Sequence, residues 1–279
     1  MMPTVTAGAV TPPPTPTRRP RKPRHLGVRI AWVIVTVVVI AAFADIDITW
    51  SRLSTFPQDF VHYVSLMFCP PDWASIGKAA DATWQSVEMA WLGTVIGVVV
   101  SLPLGFFAAS TVSPVWLRLP LRLVFAVLRA VPEVIIAIII LSVTGLTPFT
   151  GALAIAVGSV GTLGKWEYEA IEGAPRGPIE AATACGASRS EILRCAVWPS
   201  VSPEILAFWL YRFEINVRAS AVLGLVGAGG IGSMLTQTVQ YRMWPTVGTL
   251  FLVVVVVTVV IDQISGRIRQ RIITGRWRG

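Results

Sequence analysis

Two pairs of opposite charges, each four residues apart, interrupt long apolar stretches of the chain. Arg129 and Glu133 form the first pair, and Glu214 and Arg218 form the second. A spacing of four puts both members on one face of a helix, where they can form an ion pair. Inside a bilayer each charge would cost at least about 2.5–3.5 kcal/mol, so these side chains should face a helix-bundle interior or a water-filled path. An internal ion pair and a path for a charged solute both remain open.

The stretch from Val201 to Val226, which contains the second pair, is the least lipid-like of the apolar stretches. Glu204 lies near its start, and Arg212 and Asn216 lie inside it. The same cost of exposing charge to lipid applies to these residues. We therefore expect this stretch to contribute polar side chains to an interior path.

A glycine run at residues 227–232, Gly-Ala-Gly-Gly-Ile-Gly, matches the GxGxxG fingerprint of dinucleotide-binding folds. That fingerprint requires a surrounding βαβ unit and an acidic residue about twenty positions downstream. No such unit is predicted, and the first acid after the run is Asp262. We expect the glycines instead to permit an irregular backbone at the mouth of a cavity, where non-helical chain is tolerated if it lines water or protein.

Motifs for nucleotide binding, metal binding and catalysis are incomplete. Gly164-Lys165 resembles the end of a P-loop, but Gly158 is one position too far upstream, and Trp166 replaces the Ser or Thr that holds magnesium. Neither of the two histidines has a ligand neighbour, and the three cysteines form no metal spacing and no even disulfide set. The sequence predicts no metal site, no cofactor bound by this chain and no enzymatic activity.

A polar island, Glu180–Pro199 (EAATACGASRSEILRCAVWP), separates two apolar regions. Its pattern predicts two short helices joined by a tight turn. Gly186 suits the left-handed residue that ends a helix, and Ser188 with Glu191 predicts a capping box for the next helix. Pro199 should close or kink that helix. An ordinary connecting loop is the alternative.

The tripeptide Glu180–Ala182, separated by three residues from Gly186, resembles the EAA loop of ABC-transporter permeases. The family pattern continues with Ile-x-Leu-Pro; Pro199 is in register, whereas Ala and Trp stand at the Ile and Leu positions. In that family the loop is the coupling helix, which docks in a groove of a separate ATPase subunit. The resemblance implies that the ATPase-coupling residues are Glu180, Ala181, Ala182, Gly186, Ala187 and Ser188.

A more specific resemblance is carried by Tyr211–Gly232 (YRFEINVRASAVLGLVGAGGIG), Gly164–Glu172 and Leu128–Glu133. These segments are similar to the phosphonate-type ABC importer permeases, the membrane components of importers for phosphonate, phosphite or phosphate. The likeness extends from about Trp84 to Arg271. It implies an ABC ATPase dimer that binds ATP and Mg, an external substrate-binding protein, and a second permease copy in a homodimer.

The same resemblance places the glycine run near an external gate. Substrate would then arrive at a mouth formed by Ser142–Thr150 and Gly227–Gln240. A strongly hydrated phosphorus oxyanion needs compensating positive charge along its path, for which Arg129, Arg212 and Arg218 are the candidates. The path and gate residues are expected to be Arg129, Glu133, Arg212, Glu214, Asn216, Arg218, Gly227, Gly229, Gly230 and Gly232.

The composition is that of a membrane protein. It is 54% hydrophobic and only 14% charged, whereas soluble domains carry about 25% charged residues. The net charge of +8 comes from basic clusters at the two ends, which fits cytoplasmic retention rather than a nucleic-acid surface. The chain should therefore lie in a lipid bilayer and bind no nucleic acid. The resemblance implies that this bilayer is the prokaryotic plasma (inner) membrane.

The apolar stretches predict an all-α membrane fold with both termini in the cytoplasm. The resemblance implies that this fold is that of type I ABC importer permeases, with cytoplasmic coupling helices. Gly93, Gly97 and Gly105 should form a face of small residues that lets helices approach closely. Six membrane spans are expected: Ile30–Ala44, Thr83–Ser110, Leu121–Val143, a span that ends near Gly164, Val201–Val226 and Val247–Ile264.

The chain divides on this basis into four parts. Residues 1–27 form a disordered, basic and proline-rich cytoplasmic tail, and residues 28–82 hold the first span and an external amphipathic segment. Residues 83–266 form the permease core with its coupling loop at 165–200, and residues 267–279 form a basic cytoplasmic tail. A cleaved signal peptide is the alternative to a retained first span, because Ala42-Phe43-Ala44 resembles a cleavage site.

A secondary transporter or channel is the alternative function. It would use the intramembrane Arg/Glu pairs as a proton or ion relay. Such a fold is expected to show inverted repeats with matching broken helices, and we detect none in the sequence. Uptake driven by a proton gradient without an ATPase would distinguish the two classes.

Overall fold

The computed structural model describes residues 26–45 and 50–274, and within them all regular secondary structure is helical. The chain divides into two compact units, Met1–Pro57 and Gln58–Gly279. Most of the predicted N-terminal tail and the end of the predicted C-terminal tail lie outside the described residues. A helix begins at Leu26, four positions before the predicted start of the first span at Ile30, so the last two residues of the predicted tail are helical.

Helix α1, Leu26–Asp45, carries the first predicted span. Its segment Gly27–Asp45 is long and apolar enough to cross a membrane. The helix is longer than the apolar run Ile30–Ala44, because the helix takes in flanking residues at both ends of that run. Whether this segment is a retained span or a cleaved signal peptide stays a prediction.

Helix α2, Trp50–Phe68, occupies the segment that was predicted to be amphipathic. Two of its aromatic side chains contact the start of the last helix of the chain. The rings of Tyr63 and Trp244 meet edge to face with centroids 5.0 Å apart, and those of Phe68 and Phe251 are 6.4 Å apart. The segment is therefore helical as predicted, while its position at the membrane surface stays a prediction.

A short 3₁₀ turn, Trp73–Ser75, follows α2 and leads into the next helix. Asp72, which precedes this turn, accepts hydrogen bonds from the hydroxyl groups of Ser75 and Thr246. These hydrogen bonds hold the pKa of Asp72 below its usual value. The hydroxyl of Thr249 also donates to the Asp72 carbonyl oxygen at 3.0 Å, so this loop is fixed to the last helix.

Helices α3, Ile76–Ala108, and α6, Pro148–Glu172, form the closest helix pair of the core. A Cβ atom on Gly93 would lie 2.7 Å from the Ala152 carbonyl oxygen, and one on Gly97 would lie 2.7 Å from Ser159 Cβ. Contacts this close leave no space for a side chain. The predicted face of small residues is confirmed, with α6 as its partner.

The third predicted span, Leu121–Val143, is wrong as a continuous helix. Helix α4, Val115–Ala130, ends there, and helix α5, Glu133–Thr144, continues at an angle of 91°. The break lies at Val131, whose extended backbone (φ −86°, ψ 124°) is the conformation favoured before a proline.

The remaining helices run from the polar island to the end of the described chain. Helix α9 continues directly from a π-helical turn, Leu193–Val197, and leads into a second one, Gly224–Ala228. Helix α10, Gly230–Gln240, then departs at 56°, beyond Val226, where the predicted fifth span ends. The helices are α7 Arg176–Ala184, α8 Arg189–Ile192, α9 Trp198–Leu223, α10 Gly230–Gln240 and α11 Trp244–Ile273.

The number of spans depends on how bent helices are counted. Among the described residues three helices are long and apolar enough to span a membrane, and two bent pairs raise the number to five. Helix α6 has the length but is absent from that set, because its many glycine, serine and threonine residues lower its hydropathy. The predicted count of six stays a prediction.

Candidate functional site

The polar island folds into two helices and a tight turn, which we call the elbow (Arg176–Ile192). Helix α7 ends where Gly186 takes a left-handed conformation with φ +76°, which a residue with a side chain adopts only at a cost. The Gly186 N–H donates to the Thr183 carbonyl at 2.9 Å, and the Ala187 N–H donates to the Ala182 carbonyl at 3.1 Å. These bonds satisfy carbonyl groups at the helix end, and the predicted turn is confirmed.

Helix α8 begins with the predicted capping box. The Ser188 hydroxyl accepts a hydrogen bond from the Glu191 N–H at 3.4 Å, and Ser188 N–H donates to Glu191 Oε2 at 2.7 Å. The Ser188 hydroxyl also donates to the same carboxylate oxygen at 2.7 Å. Because both groups of Ser188 stabilise the charged carboxylate, the pKa of Glu191 lies below its usual value.

One side of the elbow is exposed and the other is packed against the helical body. Glu180, Ala181, Gly186 and Ser188 are exposed, while Ala182 and Ala187 are half-buried. On the inner side the elbow packs on a core that links α6 and α9. The apolar residues of this contact include Ile179, Ile192, Ile171, Val197 and Val201. A force applied to the exposed side would therefore reach two long helices.

The predicted ion pair between Arg129 and Glu133 is not formed in the described part of the chain. The helix breaks between the two residues, so they do not share a helical face. Arg129 is exposed at the end of α4, whereas the Glu133 carboxylate accepts a hydrogen bond from Arg212 Nη2 on α9. Spacing alone gave the wrong partner because it assumed a continuous helix.

Arg212 and Glu133 belong to what we call the buried junction (Thr94, Glu133, Ser159, Arg212, Asn216). Arg212 Nε donates to the Ser159 hydroxyl at 3.1 Å. Asn216 Nδ2 donates to the same hydroxyl at 3.0 Å and to Thr94 Oγ1 at 2.8 Å. Four helices, α3, α5, α6 and α9, are joined by these bonds. Arg212 and Asn216 are 6% and 0% exposed, so their donors are directed into protein and away from lipid.

The predicted pair between Glu214 and Arg218 is also replaced by other contacts. Arg218 Nε donates to the backbone carbonyl of Glu214 at 3.4 Å, and Arg218 Nη2 lies 3.8 Å from Asp262 Oδ1 on α11. Glu214 is buried, and its Oε1 atom has no hydrogen-bond partner. Arg218 thus pairs loosely with Asp262, a residue for which the sequence predicted no role.

We call the charged and aromatic residues at this contact the open ladder (Tyr211, Glu214, Arg218, Asp262, Arg269). Arg269 lies over the ring of Tyr211 at 5.6 Å from the ring centroid. The ladder ends at a cavity of about 640 Å³ that Glu204, Tyr211 and Arg269 help to line.

The glycine run forms the irregular backbone that the sequence predicted. Gly227, Gly229 and Gly230 have φ values of +98°, +94° and +66°. The run has fixed neighbours, since Gly230 N–H donates to Gln85 Oε1 at 2.7 Å and Ile231 N–H donates to the Ser86 hydroxyl at 2.9 Å. A helix precedes and follows it, so the expected absence of a βαβ unit at this run is confirmed.

The two segments predicted to form an outer mouth contact each other at this run. A Cβ atom on Gly227 would lie 2.7 Å from Leu146 Cδ2, and one on Gly229 would lie 3.1 Å from Pro148 Cγ. Gly232 packs so closely on the preceding helix that a Cβ atom would lie 2.0 Å from the Ala221 carbonyl oxygen. Segments 142–150 and 227–240 therefore come together, whereas their role as a gate stays a prediction.

Several polar residues at these sites were missed by sequence reasoning. Ser159 and Thr94 are small polar residues that no pattern distinguishes in a helix. Asp262, in contrast, is an acid inside the apolar helix α11, and the cost of charge in lipid could have identified it. Glu167, which is 0% exposed, accepts hydrogen bonds from Trp209 Nε1 at 2.9 Å and the Ser101 hydroxyl at 3.1 Å.

Apolar helices of membrane-spanning length, broken helices and charges held on inner faces together define a multi-pass helical membrane protein. Residues 101–274 match the family model described as "Binding-protein-dependent transport system inner membrane component". The chain belongs to this family.

Two curated relatives support the assignment. The chain is 36% identical over 236 residues to the phosphate-import permease protein PhnE of Mycolicibacterium smegmatis, a match that covers 84% of this chain and 44% of that protein. It is 32% identical over 260 residues to the putative phosphite transport system permease protein HtxC of Stutzerimonas stutzeri. This match covers 93% of this chain and 91% of that protein. The chain thus spans less than half of the first relative's length and most of the second's.

A solved structure has the same fold. The chain is similar to a chain of the inward-facing MetNI methionine ABC transporter, with a TM-score of 0.65 and 21% sequence identity. The match covers 72% of this chain and 99% of that one. The fold is therefore that of a type I ABC importer permease.

Proposed function

We propose that this chain is the permease subunit of an ATP-driven importer and forms the path for phosphonate, phosphite or phosphate. A separate ABC ATPase dimer would bind ATP and Mg and drive it through the elbow. An external substrate-binding protein would deliver the solute. Two copies of this chain would form a homodimer in the plasma membrane, with both termini in the cytoplasm. The names of the phosphate- and phosphite-transporting relatives support the substrate class.

The observation that carries the proposal is the two-sided character of the elbow. Glu180 and Ala181 are available to a partner, while Ile179 and Ile192 are anchored on the core beneath α6 and α9. A closing ATPase dimer would pull on the exposed side. The anchored side would then tilt the long helices as rigid bodies between inward-open and outward-open states.

This chain would not hydrolyse ATP itself. The P-loop-like dipeptide Gly164-Lys165 lies inside helix α6, where Lys165 pairs with Glu169 at 3.3 Å. A Cβ atom on Gly164 would lie 2.4 Å from Phe125 Cζ, so this glycine provides helix packing. A phosphate-binding loop has a different backbone, which favours a subunit that receives mechanical work from a partner.

A reconstituted transporter with its ATPase and binding protein tests the proposal. We expect ATP-dependent uptake of phosphate, phosphite or methylphosphonate into proteoliposomes. Glu180→Arg should reduce uptake to background while membrane insertion is retained, because it places the opposite charge at the contact with the ATPase. The exposed Asp81, which lies near the start of α3 and outside the elbow, provides the control: Asp81→Arg should retain uptake. Normal uptake by Glu180→Arg would contradict the coupling role.

Crosslinking tests the contact directly. Cysteines introduced at Ala181 or Ala182 should crosslink to the ATPase, in a background without the exposed Cys185 and Cys195. The alternative function, a secondary transporter or channel, predicts uptake driven by a proton gradient without any ATPase. Proton-driven uptake without an ATPase, together with the absence of a crosslink, would contradict the proposed ABC permease and favour the secondary transporter or channel.

A further inference from the structure

The open ladder consists of two facing rows of side chains on antiparallel helices. Tyr211, Glu214 and Arg218 are three and four residues apart on α9, and therefore share one face of it. Asp262 and Arg269 are two turns apart on α11, so they also share a face. The Arg218–Asp262 and Tyr211–Arg269 contacts join the two rows.

The pair at the outer end of this ladder is loose and accessible. Arg218 Nη2 and Asp262 Oδ1 are 3.8 Å apart, which is beyond hydrogen-bond distance. The two side chains are 56% and 43% exposed. The Asp262 Oδ1 atom that faces Arg218 is itself shielded from solvent and has no hydrogen-bond partner, so Arg218 does not fully satisfy it.

The surroundings indicate that these charges face water or protein. Asp262 lies well inside the apolar helix Trp244–Ile273, where contact with lipid would cost several kcal/mol per charge. The inner end of the ladder meets the cavity of about 640 Å³ beside Tyr211 and Arg269. A hydrated solute could thus approach the ladder from that cavity.

We propose that Asp262 is an exchangeable counter-ion of Arg218, which a transported phosphorus oxyanion displaces from the guanidinium and which takes its place again when the oxyanion leaves. The inference rests on the proposed function and assigns Asp262 to the same path. Arginine binds phosphate-like oxygens in a bidentate manner, so Arg218 without a counter-ion would hold the oxyanion tightly. Competition from a nearby carboxylate weakens this binding and allows release.

Substitution of Asp262 separates binding from turnover. Asp262→Asn should bind phosphate or methylphosphonate at least about threefold more tightly, because the competing charge is removed. Its ATP-driven turnover should fall, because release becomes slower. Asp262→Glu retains the carboxylate and should stay close to the parent in both quantities. Binding is measured on the complex without its binding protein, and turnover in proteoliposomes. Asp81→Asn, an exposed acid near the start of α3, is the matched control.

The outcomes distinguish this inference from the proposed function. If the parent complex imports the oxyanions and Asp262→Asn binds them no more tightly, the counter-ion role is wrong while the transporter assignment stands. If neither Asp262→Asn nor Asp262→Glu assembles, Asp262 is a structural residue and the inference is also wrong. If the parent complex itself shows no ATP-driven uptake of any of the probes, the proposed function fails first.

Discussion

Helix α9 carries two arginines six residues apart, Arg212 and Arg218, and their side chains differ in burial and in how closely they are paired. Arg212 is 6% exposed, and its donors meet Glu133 and Ser159 in the buried junction. The Arg218 side chain is 56% exposed and has a loose partner at 3.8 Å. Placing either positive charge in an apolar environment costs free energy. For Arg212 this cost is offset by close contacts within the described chain, whereas for Arg218 the contacts are loose.

A charge in an apolar helix is therefore not by itself a sign of a transport role, since Arg212 and Arg218 lie on the same helix in different environments. The buried junction joins α3, α5, α6 and α9 through directed hydrogen bonds, as expected of a group that fixes helix positions. Both regions contain an oxygen without a hydrogen bond, Asn216 Oδ1 in the junction and Asp262 Oδ1 in the ladder. They differ in the ion pair, because Arg218 and Asp262 are 3.8 Å apart and their side chains are 56% and 43% exposed, as expected of charges that can exchange partners. The degree of engagement separates a structural role from a transport role. Three substitutions test this separation, ordered by their expected effect on the free energy of unfolding.

Arg212→Ala should have the largest effect. Removal of the guanidinium leaves the Glu133 carboxylate without its cation and the Ser159 hydroxyl without one of its donors, and breaking a buried ion pair in this way costs about 3–5 kcal/mol. Thermal unfolding in detergent, followed by tryptophan fluorescence, should show a clearly lower Tm. Loss of the assembled complex is expected as well.

A double substitution distinguishes the loss of an ion pair from a simple loss of volume. Arg212→Met combined with Glu133→Leu removes both charges and retains apolar bulk, so it should be less destabilising than Arg212→Ala alone. If the double variant is as unstable as the single one, the ion pair is not the source of the effect. An unchanged Tm in Arg212→Ala would contradict the structural role of the buried junction.

The buried junction shows where sequence reasoning succeeds and where it fails. The cost of charge in lipid correctly predicted that Arg212 would be inside the protein, whereas Arg129 and Arg218, to which the same reasoning applied, are exposed. The partner of Glu133 could not be predicted, because the helix break at Val131 changes which residues share a face. Ser159 could not be predicted either, since its role depends on how closely α3 and α6 approach each other.

The elbow was easier to predict because its signals are local. Gly186 and the pair Ser188 and Glu191 act within a few residues of themselves, so tertiary packing does not override them. The open ladder depends on a contact between α9 and α11, two helices that are far apart in the sequence. Only the isolated acid Asp262 in an apolar helix gave any sign of it.

Gly97→Ala should have an intermediate effect on the free energy of unfolding, because it displaces Ser159, a member of the buried junction. The new Cβ atom would lie 2.7 Å from Ser159 Cβ, and Ser159 accepts hydrogen bonds from Arg212 and Asn216. Overpacking of this kind costs about 1–3 kcal/mol. The measurement is the shift in Tm. Gly77→Ala is the control, since Gly77 lies on the same helix with no atom within 4 Å of a new Cβ. Because alanine favours the helix more than glycine does, Gly77→Ala should keep or raise Tm. A Gly97→Ala variant whose Tm is equally unchanged or raised would contradict the overpacking at Ser159.

Arg218→Ala should have the smallest effect on stability and a large effect on transport. Because the pair with Asp262 is loose and half exposed, its loss should change the free energy of unfolding by no more than about 1 kcal/mol. ATP-driven uptake should be lost, since the oxyanion then lacks compensating charge on its path. Tm, assembly and uptake are measured on the same preparation. If Arg218→Ala lowers Tm as much as Arg212→Ala does, the open ladder is a second structural junction and the contrast between the two arginines is wrong. If uptake persists with an unchanged Tm, the path lies elsewhere in the bundle.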